Sequence, residues 1–173
     1  MDDFGDLLAV DATQTLQFFL SHLRNEVREK RVRSSELLYV ASILAHYAQT
    51  SCYDTNEFLP APKTLTDTFD HFVLHSSELR DSEILEIGGA QVLFLAGFFR
   101  NQMKGRHNVC WYDQIGQSFY NRAANYSKER SKRELLGRMA RFLPFWTITC
   151  RNLNRKLQEN QLLFKLRPTL NCP

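Results

Sequence analysis

Residues 129–157 read ERSKRELLGRMARFLPFWTITCRNLNRKL, and this stretch decides the fold. Successive residues of an α-helix turn by about 100°, so side chains three and four positions apart share a face. If the stretch is one helix, most of its large apolar side chains fall within an arc of about 120°. They are Leu135, Leu136, Met139, Phe142, Leu143, Trp146, Cys150, Leu153 and Leu157. The opposite side carries Arg130, Arg133, Arg138, Arg141, Arg151, Arg155 and Lys156. Phe145 and Ile148 also project on this basic side and could add stacking or apolar contact there. The pattern predicts a long amphipathic helix with a basic outer face.

Pro144 lies inside this pattern, on its polar side. A proline removes one backbone hydrogen bond and normally breaks or kinks a helix. The apolar stripe keeps its phase on both sides of Pro144. We therefore predict one Pro-kinked helix over residues 129–157, convex to solvent, rather than two unrelated helices.

Helical patterns also cover most of the remaining chain. The most apolar segment predicts a central helix over about residues 84–100 that is covered on several sides. A buried strand pair broken at Gly88 and Gly89 is the alternative for this segment. Further helices are expected at about residues 11–30, 36–49, 65–77 and 109–124, with a short one at 158–165. The sequence therefore predicts an all-α, single-domain bundle of five to seven helices over residues 1–173.

Charge is divided unevenly along the chain. Residues 1–99 hold 15 Asp/Glu and 7 Lys/Arg, a net charge of −8. Residues 100–173 hold 4 Asp/Glu and 15 Lys/Arg, a net charge of +11, so the whole chain carries only +3. Such a division either attracts an acidic partner to one part of the protein or pairs two parts of the fold with each other.

Composition and termini place the protein in a broad class. With 43% hydrophobic and 24% charged residues, the chain is typical of a soluble globular protein. The acidic start lacks the basic and apolar regions of a secretory signal, and no apolar run is long enough to span a membrane. We expect a cytoplasmic protein whose four widely spaced cysteines are buried thiols, although disulfides or a zinc site stay open.

One region resembles a known family. It contains Leu93-Phe94-Leu95-Ala96-Gly97-Phe98-Phe99, followed after a basic loop by Tyr112, Gly116 and Tyr120. These residues resemble an uncharacterised family of bacterial helical proteins with a Leu-Phe-x-x-Gly-Phe-Phe element and a Tyr-x-x-x-Gly-x-x-x-Tyr element. That family carries an Asp soon after the first Gly of its central helix, where this chain has Gly88-Gly89-Ala90-Gln91. The resemblance implies a bacterial, mostly helical protein and no particular activity.

The basic helix face is the first candidate site. Arginine binds phosphate and carboxylate groups through two parallel hydrogen bonds. The face is a candidate for binding an acidic protein surface or nucleic acid, and its alternatives are a solvated helix face or one paired with the acidic half of the chain. The basic loop over residues 100–108 is a second candidate for contact with a partner. Zinc-finger spacing and RNA-binding sequence elements are absent from the sequence.

Two further clusters are weaker candidates. His71 and His75 stand one helical turn apart, and Asp67 and Glu78 extend their line, which is a spacing that can hold a metal ion. A solvated polar helix face is the alternative for these four residues. Tyr112, Asp113 and Tyr120 are a possible ligand pocket, with structural packing and a bond from Asp113 to an arginine as the alternative.

The sequence contains no recognised catalytic motif. We therefore expect a protein without enzymatic activity or cofactor that binds another protein or a second copy of itself, as an adaptor module does. A nucleic-acid-binding regulator that uses the basic face of residues 129–157 is the alternative, and a metal protein or enzyme is the third hypothesis.

Overall fold

The computed structural model describes residues 12–28, 30–53, 81–99 and 109–159. These residues form five α-helices, which confirms the all-α bundle. They are α1 (Ala12–Glu26), α2 (Ser34–Tyr53), α3 (Ser82–Phe98), α4 (Val109–Tyr126) and α5 (Arg130–Glu159). The helices predicted at residues 65–77 and 158–165 lie wholly or mostly outside the described residues.

The helices divide between two compact units. The first contains α1, α2 and residues 155–159 of α5. The second contains α3, α4 and residues 130–154 of α5. The single domain expected from the sequence stays a prediction.

In the first unit, α1 packs against α2. Phe19 and Leu23 are buried one turn apart on α1, and Val27 follows them in the turn after the helix. The buried face of α2 carries larger and smaller apolar residues, namely Leu37, Val40, Ala41, Ile43, Leu44 and Ala45. The helix predicted to reach about Lys30 ends earlier, at Glu26, and residues 27–28 form a turn.

In the second unit, α3 packs closely against α4, because a Cβ atom built on Gly89 of α3 would lie 2.9 Å from the Tyr120 ring of α4. Asp81 caps the start of α3, because its carboxylate accepts hydrogen bonds from the backbone N–H groups of Glu83 (2.8 Å) and Ile84 (3.4 Å). The Ser82 hydroxyl donates to the carbonyl oxygen of Ala123 on α4 at 2.8 Å. The structure therefore confirms a helix at this apolar segment and excludes the strand pair.

Helix α5 continues through Pro144 without interruption, as the unbroken apolar stripe predicts. Its large buried side chains repeat that stripe: Leu136, Met139, Leu143, Trp146, Cys150, Leu153 and Leu157. Leu135 and Phe142, at its margin, are half-buried. After the proline, the Thr147 hydroxyl donates to the carbonyl oxygen of Pro144 at 3.0 Å, and Thr149 donates to that of Phe145 at 2.9 Å. The kink itself stays a prediction.

No described helix is both long and apolar enough to cross a membrane.

Candidate functional site on the outer face of α5

Glycines fix the position of α5 in the second unit. A Cβ atom built on Gly97 of α3 would lie 2.6 Å from Cβ of Cys150 on α5. A Cβ atom built on Gly116 of α4 would lie 2.5 Å from Cδ2 of Leu143 and 2.8 Å from Cγ1 of Val92. Real Cβ atoms essentially never approach other atoms this closely. Gly97 leaves no room for a side chain, because Cβ of Cys150 is attached directly to the α5 backbone, whereas a Cβ atom at Gly116 would require the side chains of Leu143 and Val92 to shift. The inner side of α5 is therefore held close against α3 and α4.

Burial also settles the chemistry of the thiol at this contact. Cys150 is fully buried, and the loss of solvent raises the pKa of its thiol to about 12. The group stays protonated at neutral pH, because a thiolate is not stabilised in apolar surroundings. Cys150 is therefore a packing residue, as expected, whereas Cys110 is exposed and the expectation of a buried thiol is wrong there.

The outward side of α5 in this unit combines arginine with apolar side chains. Arg141 is exposed and Ile148, seven residues later, is 43% exposed. Because seven residues make almost two turns, the two side chains lie on one line along the helix. Phe145 and Arg151 are half-buried on either side of that line, and so is Arg138. We call Arg138, Arg141, Phe145, Ile148 and Arg151 the outer α5 face.

Aromatic contacts hold part of this face in place. The guanidinium carbons of Arg138 and Arg141 lie 5.1 Å and 5.5 Å from the centre of the Phe142 ring. A cation at this distance from an aromatic ring is attracted by its electron density, which restricts the side chain. Residues 135–158 contain no Asp or Glu, and Glu134 lies one turn before Arg138.

Arg130, Arg133 and Arg155 have partners close to them in the chain. Arg130 forms an exposed ion pair with Glu134 at 3.6 Å, and Arg155 one with Glu159 at 3.9 Å. Arg133 donates two hydrogen bonds to the carbonyl oxygen of Ser127, at 2.9 Å and 3.3 Å. Arg130 and Arg133 begin α5, whereas Arg155 belongs to the first unit.

Two lysines of α5 pair with acids from the acidic part of the chain. In the second unit, Lys132 forms an ion pair with Glu86 of α3 at 2.7 Å, and this bond raises the pKa of the lysine. In the first unit, Lys156 forms an ion pair with Glu26 of α1. Some basic residues of α5 therefore pair with acidic residues of the same chain, which is one of the alternatives given above for the basic helix face.

Tyr112, Asp113 and Tyr120, the possible pocket, contact other residues of the second unit, and a ligand pocket there stays a prediction. Both tyrosines are buried, and burial raises the pKa of Tyr112. The ring of Tyr120 lies against Gly89, where a Cβ atom would be 2.9 Å from it. The half-buried Asp113 accepts a hydrogen bond from the hydroxyl of Thr147 at 3.4 Å. The three residues therefore contribute to the contacts that hold α4 in place.

The candidate metal ligands and the basic loop lie outside the residues that the structure describes. Asp67, His71, His75 and Glu78 are outside the described residues, and so is the basic loop over residues 100–108. Among the described residues, no group of three or more His, Cys, Asp or Glu side chains is arranged to hold a metal ion.

The sequence analysis did not identify Ile87 as an exposed residue. The segment containing Ile87 is apolar nearly all round, so it gives no sign of which side faces solvent. In the structure Ile87 is 52% exposed, on the same side of α3 as the exposed Glu83 one turn before it. A weak signal was present, because Glu83 and Glu86 are the only charged residues within α3.

No protein-family model, curated protein or solved structure matches this chain. The resemblance to the uncharacterised bacterial family stays a prediction.

Proposed function

We propose that this protein is a non-enzymatic binding module that docks an acidic protein surface on the outer α5 face. The observation that carries the proposal is the exposed Ile148 with Arg141 and Arg151 before and after it on the same helix. Protein interfaces favour such a combination, because an apolar anchor excludes water while arginines pair with carboxylates around it.

The distance between the two arginines indicates how far apart the acidic residues of the partner should lie. Ten residues separate Arg141 from Arg151, which corresponds to about 15 Å along a helix. A partner helix with acidic residues about three turns apart and an apolar residue between them has the matching chemistry. Nucleic acid is the alternative partner, because its phosphates also pair with arginine; we favour a protein surface because an apolar anchor between arginines is typical of protein interfaces.

A binding measurement across a salt series tests this proposal. The probe is a synthetic helical peptide with glutamates on either side of a central leucine, compared with random duplex DNA and structured RNA. We expect the peptide to bind, and Arg141→Glu/Arg151→Glu to weaken its binding by at least about tenfold, or about 1.4 kcal/mol. Affinity should also fall as salt rises, because exposed charges are screened.

The matched control is a double variant that changes the net charge by the same amount at a site outside α5. Arg28→Glu/Arg31→Glu alters two exposed residues outside α5 and should leave peptide binding unchanged. Circular dichroism and thermal unfolding verify that each variant is folded. Absence of peptide binding at low salt contradicts the proposal. Tight, salt-sensitive binding of DNA or RNA that the α5 variant abolishes would instead favour the nucleic-acid alternative.

A further inference from the structure

The second unit exposes a second isoleucine beside charge of the opposite sign. Ile87 on α3 is 52% exposed, which is the largest exposure among the exposed large apolar residues described. Glu83 is exposed one turn before Ile87, so the two side chains lie on the same side of α3. We call Glu83 and Ile87 the acidic α3 face.

The two faces are complementary. On the outer α5 face, the exposed Ile148 lies between Arg141 and Arg151. On the acidic α3 face, the exposed Ile87 lies one turn after the exposed Glu83. Contact between them would remove both isoleucines from water and place carboxylates near guanidinium groups. Like charges would meet if either face paired with itself, and this is unfavourable. Complementarity therefore favours pairing of unlike faces.

From this complementarity we propose that the acidic partner of the outer α5 face is the acidic α3 face of a second copy of this chain. The inference rests on the proposed function and names its partner. In a dimer with a two-fold axis, α3 of each copy meets α5 of the other, so the interface is isologous and closed. A single head-to-tail contact would instead leave one face of each copy unused and continue into open chains.

An ion pair within the molecule supports a second copy of the chain as the partner. Lys132 already pairs with Glu86 between α5 and α3, so opposite charges on these two helices attract each other within one molecule. The same attraction between molecules is available to exposed groups. It is screened by salt, so self-association should weaken as ionic strength rises.

Sedimentation of the full chain tests the inference, from about 0.05 M to about 0.5 M NaCl. We expect a concentration-dependent dimer at low salt. Glu83→Arg and Arg141→Glu should each weaken it by about tenfold or more, because each makes the contact repulsive. Ile87→Ser provides a second variant, which removes the apolar anchor at an exposed position and should also weaken the dimer.

Mixing the two charge variants gives the decisive comparison. The Glu83→Arg and Arg141→Glu proteins should dimerise with each other when mixed. In the mixed dimer, the α3 face of the first variant is basic and meets the acidic α5 face of the second, and the two unmodified faces still have opposite charges. The double variant Glu83→Arg/Arg141→Glu should likewise recover self-association. Arg28→Glu is the charge control and should dimerise as the unmodified protein does.

The inference is overturned by a monomer at every concentration at low salt, by a dimer that Glu83→Arg leaves unchanged, or by a mixture that does not associate. These outcomes differ from failure of the proposed function. A protein that binds the glutamate peptide through Arg141 and Arg151 but stays monomeric retains the proposed function and loses this inference.

Discussion

Gly97 and Gly137 are two helical glycines in opposite surroundings. A Cβ atom on Gly97 would lie 2.6 Å from Cβ of Cys150, whereas a Cβ atom on Gly137 meets nothing within 4 Å. Because the atom facing Gly97 is attached directly to the α5 backbone, it cannot move without shifting the helix. At Gly137 a Cβ atom meets no neighbour, so its only effect is to raise the helix propensity of that residue.

We therefore expect opposite effects from the same substitution. Gly97→Ala should lower the free energy of unfolding by about 1–3 kcal/mol, through overpacking between α3 and α5. Gly137→Ala should raise it by about 1 kcal/mol, because alanine has the higher helix propensity. Urea unfolding of the two variants measures both changes. Equal effects of the two substitutions would contradict the close approach of α3 to α5.

These residue contacts could not be predicted from the sequence. The sequence identifies Gly97 as a small residue in an apolar helix, but the identity of its neighbour depends on how the helices are placed. Tyr112, Asp113 and Tyr120 illustrate the same point. Their spacing of about two turns fits a pocket as well as a packed helix face, and only the surrounding helices distinguish the two.

At the scale of the helix, α3 depends on its cap. The carboxylate of Asp81 accepts bonds from two backbone N–H groups that would otherwise lack a partner within the helix. Asp81→Ala should reduce the free energy of unfolding by about 1 kcal/mol. Asp81→Asn keeps a side-chain oxygen acceptor and should retain most of the stability. Urea unfolding separates the two variants, and equal losses would argue against a capping role.

Helices α5 and α3 differ in how much their sequences reveal. The alternation of leucine and arginine on α5 has a clear helical period, so its buried stripe, its length and its continuity through Pro144 could all be predicted. Helix α3 has apolar side chains nearly all round, so the sequence indicates a helix but not its orientation. Its exposed Ile87 became visible only in the structure.

At the scale of the whole molecule, the charge division has two consequences. Lys132 and Lys156 pair with acids within their own units, which uses part of the basic charge for internal contacts. Arg141 stays exposed on the outward side of α5, beside Ile148. The net charge of +11 over residues 100–173 does not show which basic residues form internal ion pairs and which stay exposed, because lysine and arginine serve both roles.

The central claim is that an acidic protein surface binds on the outer α5 face. Heteronuclear NMR tests it most directly, by recording backbone amide shifts of the labelled protein as the glutamate peptide is added. We expect the largest changes at residues 138–151, and their loss in Arg141→Glu/Arg151→Glu at the same peptide concentration. Binding with its largest changes elsewhere among the described residues, or no change at low salt, would contradict the claim.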